Sequence, residues 1–354
     1  MKVTMQTIAD RIGVSKNAVS LALKHDPSIS EETRNKILAV ANELGYRRNQ
    51  VFGEVMSQMR KRGSDSVSAT IALINGNQNH RAFREHPTIP NYVTGCKERA
   101  SQLGYAIDSL WLFDQSMSGQ RWIDILQTRG IRGIVVVGLM NENQLPPAFV
   151  PVIEAFPCVV TGVRTREPTL SFSCVDHHIL ALRAFEKALE LGYQRPGLVL
   201  DSVIDQLVEH RFSAGYQSGQ TVLPKSRRIQ PFFDVAKARE NHRHFQDWLK
   251  KEQPDVIFTL YNEVHAWLED MGLKVPKDIG LIQLEWRASR PNWAGMNQHN
   301  DIVGQTAMDM LIGMIHRGDK GAPPFPRATL IGPTWVNGQT VRQQTHGHLT
   351  VKSQ

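Results

Sequence analysis

The sequence predicts two unlike parts, an all-α domain at the N-terminus and a larger, two-lobed α/β domain built on parallel sheets. A chain of 354 residues is longer than one ordinary domain, and its composition, 41% hydrophobic and 21% charged, is that of a globular protein. Apolar residues recur at helical spacing over residues 5 to 44, whereas short β-branched runs alternate with helical stretches from residue 69 onwards. Since no apolar run approaches the length of a membrane span, we expect no membrane partner.

The formal net charge of +7 is concentrated near the N-terminus. The first 63 residues carry eleven Lys or Arg and six Asp or Glu, while the rest of the chain is nearly balanced. A mildly basic segment is by itself more often solvated surface than a nucleic-acid site, so the residue pattern within it has to decide.

The start of that basic segment predicts two short helices joined by a tight turn. Thr4 is a candidate N-cap of the first helix and a candidate DNA contact, and apolar residues recur at helical spacing in that helix. Gly13 provides a residue that tolerates a positive φ, and Ser15 stands where the N-cap of the second helix belongs. This order of helix, turn and capped helix predicts a helix-turn-helix.

The second helix is the candidate recognition helix. Its apolar residues fall on one side, while Lys16, Asn17, Ser20 and Leu21 fall on the other. Such a face is ordinary surface on an isolated helix, but it indicates DNA reading when it follows a correctly spaced turn. Lys16 has donors for guanine O6 and N7, and Asn17 has the geometry to pair with adenine. Ser15 and Ser20 are candidates for contacts to phosphates or base edges.

A third helix is predicted between Ser30 and Gly45. Ser30 is its expected N-cap, and Glu31 and Glu32 place negative charge at the positive end of the helix dipole. Three short helices with one apolar stripe each make a domain of about fifty residues, which is near the lower limit for an independent core.

The run TMQTIADRIGVSKNAVSLALKHDPSISEETRNKILAVANELGYRRNQ resembles the headpiece of the lactose-repressor (LacI/GalR) family of transcription regulators. The shared features are the IADRIGVS helix and turn, the V-S repeated around the second helix, the S-x-x-T-R of helix three and the closing LGY. The resemblance implies that Lys16, Asn17 and Ser20 read the major groove. Leu21 stands where the family usually has Arg, and an aliphatic side chain cannot pair with guanine, so we expect a different base preference there.

Residues 49–68 predict a linker with a basic run, Arg60 to Arg62, and a Gly/Ser/Asp tail. Residues 49–59 have modest helical character with several apolar side chains, which ordinarily indicates an amphipathic surface helix. The family resemblance implies instead a hinge helix that inserts an apolar side chain into the minor groove and kinks the operator. In ungapped register that side chain is Val55, with Met56 as the neighbouring candidate.

The remainder of the chain predicts parallel sheets built from βαβ units, because strand-like and helical stretches alternate. The helical stretches lie around residues 91–103, 178–191, 235–252 and 300–317. The strand-like runs are ATIALI, YAIDSLWL, GIVVVG, CVVTG, GLVL, DVIFTL and IGLIQL. Seven or more strands over about 270 residues indicate two lobes.

The runs LGYQRPGLVL, EHRFSAGY, PDVIFTLYNEV and GQTAMDMLI resemble the effector domain of the same family, which has a periplasmic-binding-protein-like fold. With the headpiece, the resemblance extends over nearly the whole chain. The expected organisation is a helix-turn-helix domain at 1–48, a hinge and linker at 49–68, a two-lobed effector-binding and dimerisation domain at 69–340 and a C-terminal tail at 341–354.

The ligand site of such a fold is expected beyond the carboxyl ends of the parallel strands, where two lobes face a cleft. The residues just past predicted strands are therefore candidates for effector binding. They are Asn75, Asp176, Arg211, Phe233, Asn262 and Glu285.

The resemblance assigns roles to four of these candidates, and three of the four have a purely structural alternative. Arg211 is near the effector-binding arginine, although it precedes Gly215 by four residues where many relatives have three, and it is otherwise a surface charge. Phe233 matches an aromatic residue that stacks on ligand, or belongs to the core. Asn262 matches an Asn or Asp of the cleft, or is a helix N-cap, as Asp176 is too. Glu285 replaces an Asp that often holds sugar hydroxyls.

Enzyme and cofactor motifs are absent from the sequence. It has no G-x-G-x-x-G after a strand, no P-loop and no H-E-x-x-H, so we expect no catalytic residues, no metal and no cofactor. The histidine pairs at 177–178, 242–244 and 346–348 are expected to be surface residues. The three cysteines, Cys96, Cys158 and Cys174, are far apart and are expected to be buried, reduced thiols.

These observations predict a homodimeric repressor that binds a pseudo-palindromic operator in double-stranded DNA and responds to a small molecule, a sugar or related metabolite. The N-terminus has no signal-peptide pattern, so the expected location is the cytoplasm. Two alternatives are a solute-binding protein, against which the helix-turn-helix counts, and an enzyme with a DNA-binding appendage, against which the missing catalytic motifs count.

Overall fold

The computed structural model describes residues 5–23, 26, 28–44 and 69–344. The chain divides into two compact units between Val67 and Ser68. The first unit, the headpiece, contains three described helices, α1 (Met5–Ile12), α2 (Lys16–Ala22) and α3 (Glu31–Glu43).

Local chemistry fixes the ends of the headpiece helices as the sequence predicts. Gly13 has a φ of +74° in the turn after α1. The Ser15 Oγ accepts a hydrogen bond from the Ala18 backbone N–H, and the Ser30 Oγ accepts one from that of Thr33. The two expected serine N-caps are therefore confirmed.

The headpiece core is small. One side chain pair on its surface, Arg11 and Glu43, joins α1 to α3 at 2.9 Å. The Arg34 guanidinium holds the connection before α3 by donating to the carbonyls of Asp26 and Ile29. The buried residues of its core cluster are Ile8, Ala9, Val19, Ala22, Ile37 and Ala41.

The second unit contains two sheets. Its described strands are β1 (Thr70–Asn75), β2 (Ala106–Trp111), β3 (Ile131–Val137), β4 (Cys158–Thr161), β5 (Ser171–Val175), β6 (Pro196–Val199), β7 (Val256–Thr259), β8 (Gly280–Gln283), β9 (Gly295–Asn297), β10 (Ala328–Ile331) and β11 (Thr334–Val336). The first sheet has the order β10-β5-β4-β3-β1-β2 with every pair parallel. The second has the order β11-β9-β8-β7-β6 and is parallel except for the antiparallel pair of β9 and β11.

The described helices of this unit lie between the strands in sequence. They are α4 (Ala82–Glu85), α5 (Ile89–Gln102), α6 (Gly119–Thr128), α7 (Val150–Ala155), α8 (His177–Glu190), α9 (Ser202–Leu207), α10 (Arg211–Gln220), α11 (Val235–Glu240), α12 (Arg243–Glu252), α13 (Glu263–Asp270) and α14 (Asn300–Arg317). Short 3-10 turns occur at Pro147–Phe149 and Lys225–Arg227.

The chain passes three times between the two sheets, which defines a first lobe around the first sheet and a second lobe around the second. It leaves the first sheet after β5, returns to it after β9 and leaves it again between β10 and β11. The predicted two-lobed α/β architecture is therefore confirmed.

Helices α5 and α14 of the first lobe pack closely because a glycine of each helix faces the backbone of the other. A Cβ on Gly304 would lie 2.2 Å from the Tyr92 carbonyl oxygen, and one on Gly95 would lie 1.8 Å from the Asp301 carbonyl oxygen. The thiol of Cys96 lies in the same contact and donates to the Gly304 carbonyl. All three cysteines are buried and unpaired, as expected.

Two local predictions were wrong or incomplete. The stretch 235–252 is two helices rather than one, because Asn241 is extended and its side chain accepts from the Arg243 N–H at the start of the next helix. Strand β5, SFSCV, and the short strands β9 to β11 lack a continuous β-branched run, so the sequence pattern did not indicate them. No helix among the described residues is long and apolar enough to cross a membrane.

Candidate DNA interface and ligand cleft

The face of α2 that the sequence assigns to DNA is open to solvent at its start. Lys16 and Asn17 are exposed, while Ser20 and Leu21 are half-buried. Ser15 is exposed and uses its hydroxyl oxygen as the helix cap, which leaves the hydroxyl hydrogen free to reach a phosphate. Lys16 and Asn17 therefore offer the largest accessible polar surface of the second helix. Thr4, Val55 and Met56, the other predicted DNA contacts, lie outside the described residues.

Asn75, at the end of β1, is buried and engaged with its own loop. Its amide donates to the carbonyls of Asn79 and His80 at 3.0 and 3.1 Å, and its oxygen accepts from the Asn77 N–H at 3.0 Å. Both amide hydrogens are used, so this side chain orders the loop after β1. A ligand contact at Asn75 would have to use the remaining lone pair of its oxygen.

Three further candidates have structural partners. The Asp176 carboxylate accepts from the Ile179 N–H at 3.2 Å and caps α8. Asn262 precedes α13 but makes no capping hydrogen bond within the described residues; its oxygen accepts from Gln283 Nε2 at 3.0 Å. Phe233 is half-buried and packs against the main hydrophobic cluster of the domain.

Glu285, just after β8, lies at a contact between the lobes. Arg287 donates to its carboxylate at 2.7 Å, Thr88 of the first lobe at 3.1 Å and Asn300 at 3.2 Å. The side chain is buried, and that burial raises the pKa of its carboxyl, while Arg287 acts in the opposite direction. The nearby His86 has its pKa lowered by burial and by the Arg287 charge, so it is neutral at pH 7.

Three buried polar atoms without hydrogen-bond partners belong to two donors of Glu285, Arg287 and Asn300, and to its chain neighbour Trp286. They are Trp286 Nε1, Arg287 Nε and Asn300 Oδ1, each buried and without a partner in the described part of the chain. Buried polar atoms are ordinarily satisfied, so the unpartnered atoms of Arg287 and Asn300, both of which also bind the Glu285 carboxylate, indicate a place for a polar ligand or water.

Arg211 opens α10 and lies in a second group of polar residues. Its guanidinium is 3.7 Å from the Glu209 carboxylate, which also lies 3.2 Å from Arg164 Nε of the first lobe. These three side chains border a cavity of about 200 Å³ that includes His177. Arg164, Glu209 and His177 are not among the residues that the sequence predicts to bind the effector.

His177 corrects one sequence-based expectation. It was expected on the surface, but its ring is buried and packs against Phe212 in a tilted arrangement, with ring centres 4.6 Å apart. Burial, and secondly the charge of Arg211, lowers its pKa to about 3, so the ring is neutral at pH 7. Its Nδ1 has no hydrogen-bond partner among the described residues. The pair His242 and His244 is exposed as expected, and His346 and His348 lie outside the described residues.

A further cavity of about 220 Å³ lies at the carboxyl ends of β1 to β3, beside the loop that Asn75 orders. Its lining residues are Gly76, Asn77, Gln78, Phe113, Leu139, Met140, Asn141 and Glu142. No cluster of three or more potential metal ligands occurs within the described ranges.

The structure thus connects some candidates and separates others. Arg211 shares its cavity with His177, the neighbour of Asp176, and Asn262 is tied through Gln283 to the strand that leads to Glu285. Asn75 and Phe233 are engaged elsewhere. Arg164 lies three residues after the end of β4. The rule that ligand-binding residues follow strands would therefore have found it if the search had extended a few positions past each strand.

Comparison with known proteins bears on both units. The family model for bacterial regulatory proteins of the lacI family matches residues 4–49, and that for the periplasmic binding protein-like domain matches residues 185–341. The HTH-type transcriptional repressor CytR of Escherichia coli (strain K12) is 24% identical over 301 residues, covering 79% of each chain.

Solved structures extend the likeness over nearly the full length. A transcriptional regulator CelR–cellobiose complex has a TM-score of 0.58 at 18% identity and covers 96% of this chain and 99% of that one. A lac repressor dimer bound to operator and the anti-inducer ONPF has a TM-score of 0.54 at 18% identity and covers 97% of this chain and 100% of that one. The order of a helical headpiece and a periplasmic-binding-protein-like domain is therefore the one predicted.

Proposed function

Because this chain belongs to the lacI family of bacterial regulatory proteins, we propose that it is a transcription regulator controlled by a small-molecule effector. The headpiece binds operator DNA, and the effector binds between the lobes of the second unit. The observation that carries the DNA-binding role is the second helix of the helix-turn-helix, capped by Ser15, with Lys16 and Asn17 exposed together at its start. It is not an enzyme.

Repression by a dimer is the proposed mode of action. CytR is a repressor by name, and the lac repressor structure is a dimer on its operator. Two headpieces related by a twofold axis would each read one half of a pseudo-palindromic operator. We place this activity in the cytoplasm. Arg60 to Arg62 would contact phosphates, and Val55 or Met56 would enter the minor groove between the half-sites.

The base-reading role of Asn17 is testable on duplexes selected by the full-length protein from a random-sequence pool. We expect Asn17→Ala to lose about 1 to 3 kcal/mol of binding free energy on the selected duplex and little on a scrambled one. Fluorescence anisotropy measures both. Asn42→Ala is the matched control, since Asn42 is exposed on α3.

Two outcomes of that experiment would count against the proposal. An equal loss on both duplexes would remove Asn17 from base reading and leave it as a phosphate contact. If no sequence is enriched by selection, the protein is not a sequence-specific regulator.

Val55 and Met56 are tested by the bend that they are proposed to impose. We expect energy transfer between dyes on the two ends of the selected duplex to rise when wild-type protein binds. Val55→Ala, Met56→Ala or the double variant should reduce that rise while leaving binding to scrambled DNA unchanged. An unchanged bend in the double variant would contradict a minor-groove role.

The effector is proposed to be a sugar or a related metabolite that fills the inter-lobe cleft. The unpartnered polar atoms on donors of Glu285 support a polar ligand, and cellobiose is the ligand in the CelR structure. Glu285 and Arg211 are the proposed anchors, with Asp176, Asn262, Phe233 and Asn75 as further contacts. A thermal-shift screen of sugars and nucleosides identifies the ligand.

Substitution then tests the proposed anchors. A ligand that raises the melting temperature of the wild type should lose its effect in Glu285→Ala, while DNA binding without ligand persists. If Glu285→Ala, Arg211→Ala and Phe233→Ala all keep the full ligand shift, the effector binds elsewhere.

A further inference from the structure

The Glu209 carboxylate lies between two arginines that belong to different lobes. Arg164, in the segment after β4, approaches it at 3.2 Å, and Arg211, at the start of α10, approaches it at 3.7 Å. All three side chains are partly exposed, so the arrangement is reachable from solvent. An arginine is charged at any physiological pH, so the positive charges outnumber the one carboxylate that lies between them. The Asp176 carboxylate adds a second negative charge near Cys174, which lines the same cavity.

The contacts in this group are incomplete. Arg164 Nε is close to Glu209 in distance, yet it is buried and forms no hydrogen bond of acceptable geometry within the described residues. His177, which is more than nine-tenths buried, lines the same cavity, and its Nδ1 also has no partner in the described part of the chain. The Arg164 Nε–H is thus available to an acceptor that Glu209 does not provide, and His177 Nδ1 is a second donor in the tautomer that carries its proton there.

The position of the Glu209 side chain and the conformation of its backbone bear on what the cavity binds. Glu209 lines the cavity between the two arginines, so an oxyanion that contacts both guanidinium groups has to take the place of its carboxylate. Glu209 and His210 have φ values of +57° and +60°, a conformation that residues other than glycine rarely adopt. The chain therefore holds this carboxylate between the arginines at a conformational cost.

We propose, on the basis of the function proposed above, that this group is an oxyanion subsite and that the effector carries a carboxylate or a phosphate. The oxyanion displaces the Glu209 carboxylate, accepts hydrogen bonds from Arg164 and Arg211, and contacts the neutral His177 ring. Glu209 occupies the subsite in the absence of effector. Because Arg164 and Glu209 belong to different lobes, the exchange removes one ion pair between the lobes and couples binding to their relative position.

The experiment uses simple anions as probes of the full-length protein. Melting temperatures are measured in sodium phosphate and in sodium acetate against sodium chloride at matched ionic strength, and apparent Kd values are derived from the concentration dependence. Phosphate and acetate distinguish the two sources of the oxyanion. We expect at least one of them to stabilise the wild type.

The variants give the decisive comparison. Glu209→Gln removes the internal competitor without changing its size, so the apparent Kd for the preferred anion should fall about tenfold. Arg211→Gln and Arg164→Gln should each raise it by about the same factor. Glu240→Gln, the same change at an exposed position of the second lobe, should leave it unchanged.

Three results would overturn the subsite. They are stabilisation by neither anion, an unchanged Kd in Glu209→Gln, and anion binding that persists in both arginine variants. Arginine variants that fold poorly do not obscure the test, since Glu209→Gln predicts a gain in affinity. Binding to the selected duplex is measured in parallel. If the protein binds this DNA but responds only to neutral ligands, the oxyanion subsite is wrong while the proposed role as a transcription regulator stands.

Discussion

The headpiece and the cleft present their polar side chains in opposite ways. Lys16 and Asn17 are exposed neighbours on one short helix, so their arrangement follows from helical geometry alone. Glu285 is buried and held by Thr88, which is 197 positions away in the sequence. A surface that reads a large external partner needs only a local pattern, whereas a site enclosed by protein depends on contacts that only the complete fold creates.

The two units also differ in how much core supports them. Among the described residues, the headpiece core consists of six buried residues, while the second unit has three separate clusters of buried residues. A domain of about fifty residues has only a few kcal/mol of stability, so single changes should separate the two units experimentally.

The largest effect is expected from Ile37→Ala in the headpiece. Truncating a fully buried Ile costs about 2 to 5 kcal/mol, which is comparable to the whole stability of a domain this small. We expect loss of binding to the selected duplex, measured by anisotropy, with ligand or anion stabilisation of the second unit retained. Leu38→Ala, at a half-buried neighbour outside the core cluster, is the control. Operator affinity within twofold of wild type for Ile37→Ala would show that the headpiece core is larger than these six residues.

Gly304→Ala should destabilise the second unit instead. The new methyl group would meet the Tyr92 carbonyl at 2.2 Å, backbone that cannot move without separating α5 from α14. The expected cost is about 1 to 3 kcal/mol, seen as a melting temperature lowered by several degrees. Gly313→Ala on the same helix meets only the end of the Arg317 side chain at 3.3 Å and should be neutral or stabilising. Equal melting temperatures for the two variants would contradict the close helix packing.

The same contrast explains what the sequence could predict. The helix-turn-helix could be predicted from Gly13 and Ser15, because the turn and the helix cap involve only residues a few positions apart in the sequence. For Asp176 two interpretations stayed open, and the structure shows the capping bond, which does not exclude ligand contact. His177 was expected on the surface. Its burial depends on packing against Phe212, a residue of another helix, and the sequence around His177 does not show that contact. The pairing of Arg164 with Glu209 requires both lobes, and sequence spacing carries no signal for it.

Neutralising the basic run of the linker should have a smaller effect that is independent of sequence. The triple change of Arg60, Lys61 and Arg62 to Gln removes positive charges that bind phosphates, so the slope of log K against log salt should decrease by roughly 0.9 for each phosphate that is no longer neutralised. Binding to selected and scrambled duplexes should weaken equally in an anisotropy titration over several salt concentrations. A loss confined to the selected duplex would instead assign base reading to this segment.

The smallest effect concerns the pH dependence of stability at Glu285. Burial raises the pKa of this carboxyl in the folded protein above its value in the unfolded chain, so the folded state binds the proton more readily. Folding is therefore favoured as pH falls from 7 towards the folded pKa, and this contribution is complete below the unfolded value and lost above the folded one. Glu285→Gln cannot take up the proton, so the wild type should gain stability relative to this variant on acidification.

Chemical denaturation of the wild type, Glu285→Gln and Glu240→Gln between pH 7 and pH 4 measures that difference. The exposed Glu240 serves as the control for the loss of one carboxylate, and its variant should follow the wild type in this range. The opposite sign, with the wild type losing stability relative to Glu285→Gln on acidification, would show that the hydrogen bonds from Arg287, Thr88 and Asn300 outweigh burial. The carboxylate would then have all its hydrogen bonds within the protein. An effector that binds Glu285 would have to displace one of those three donors.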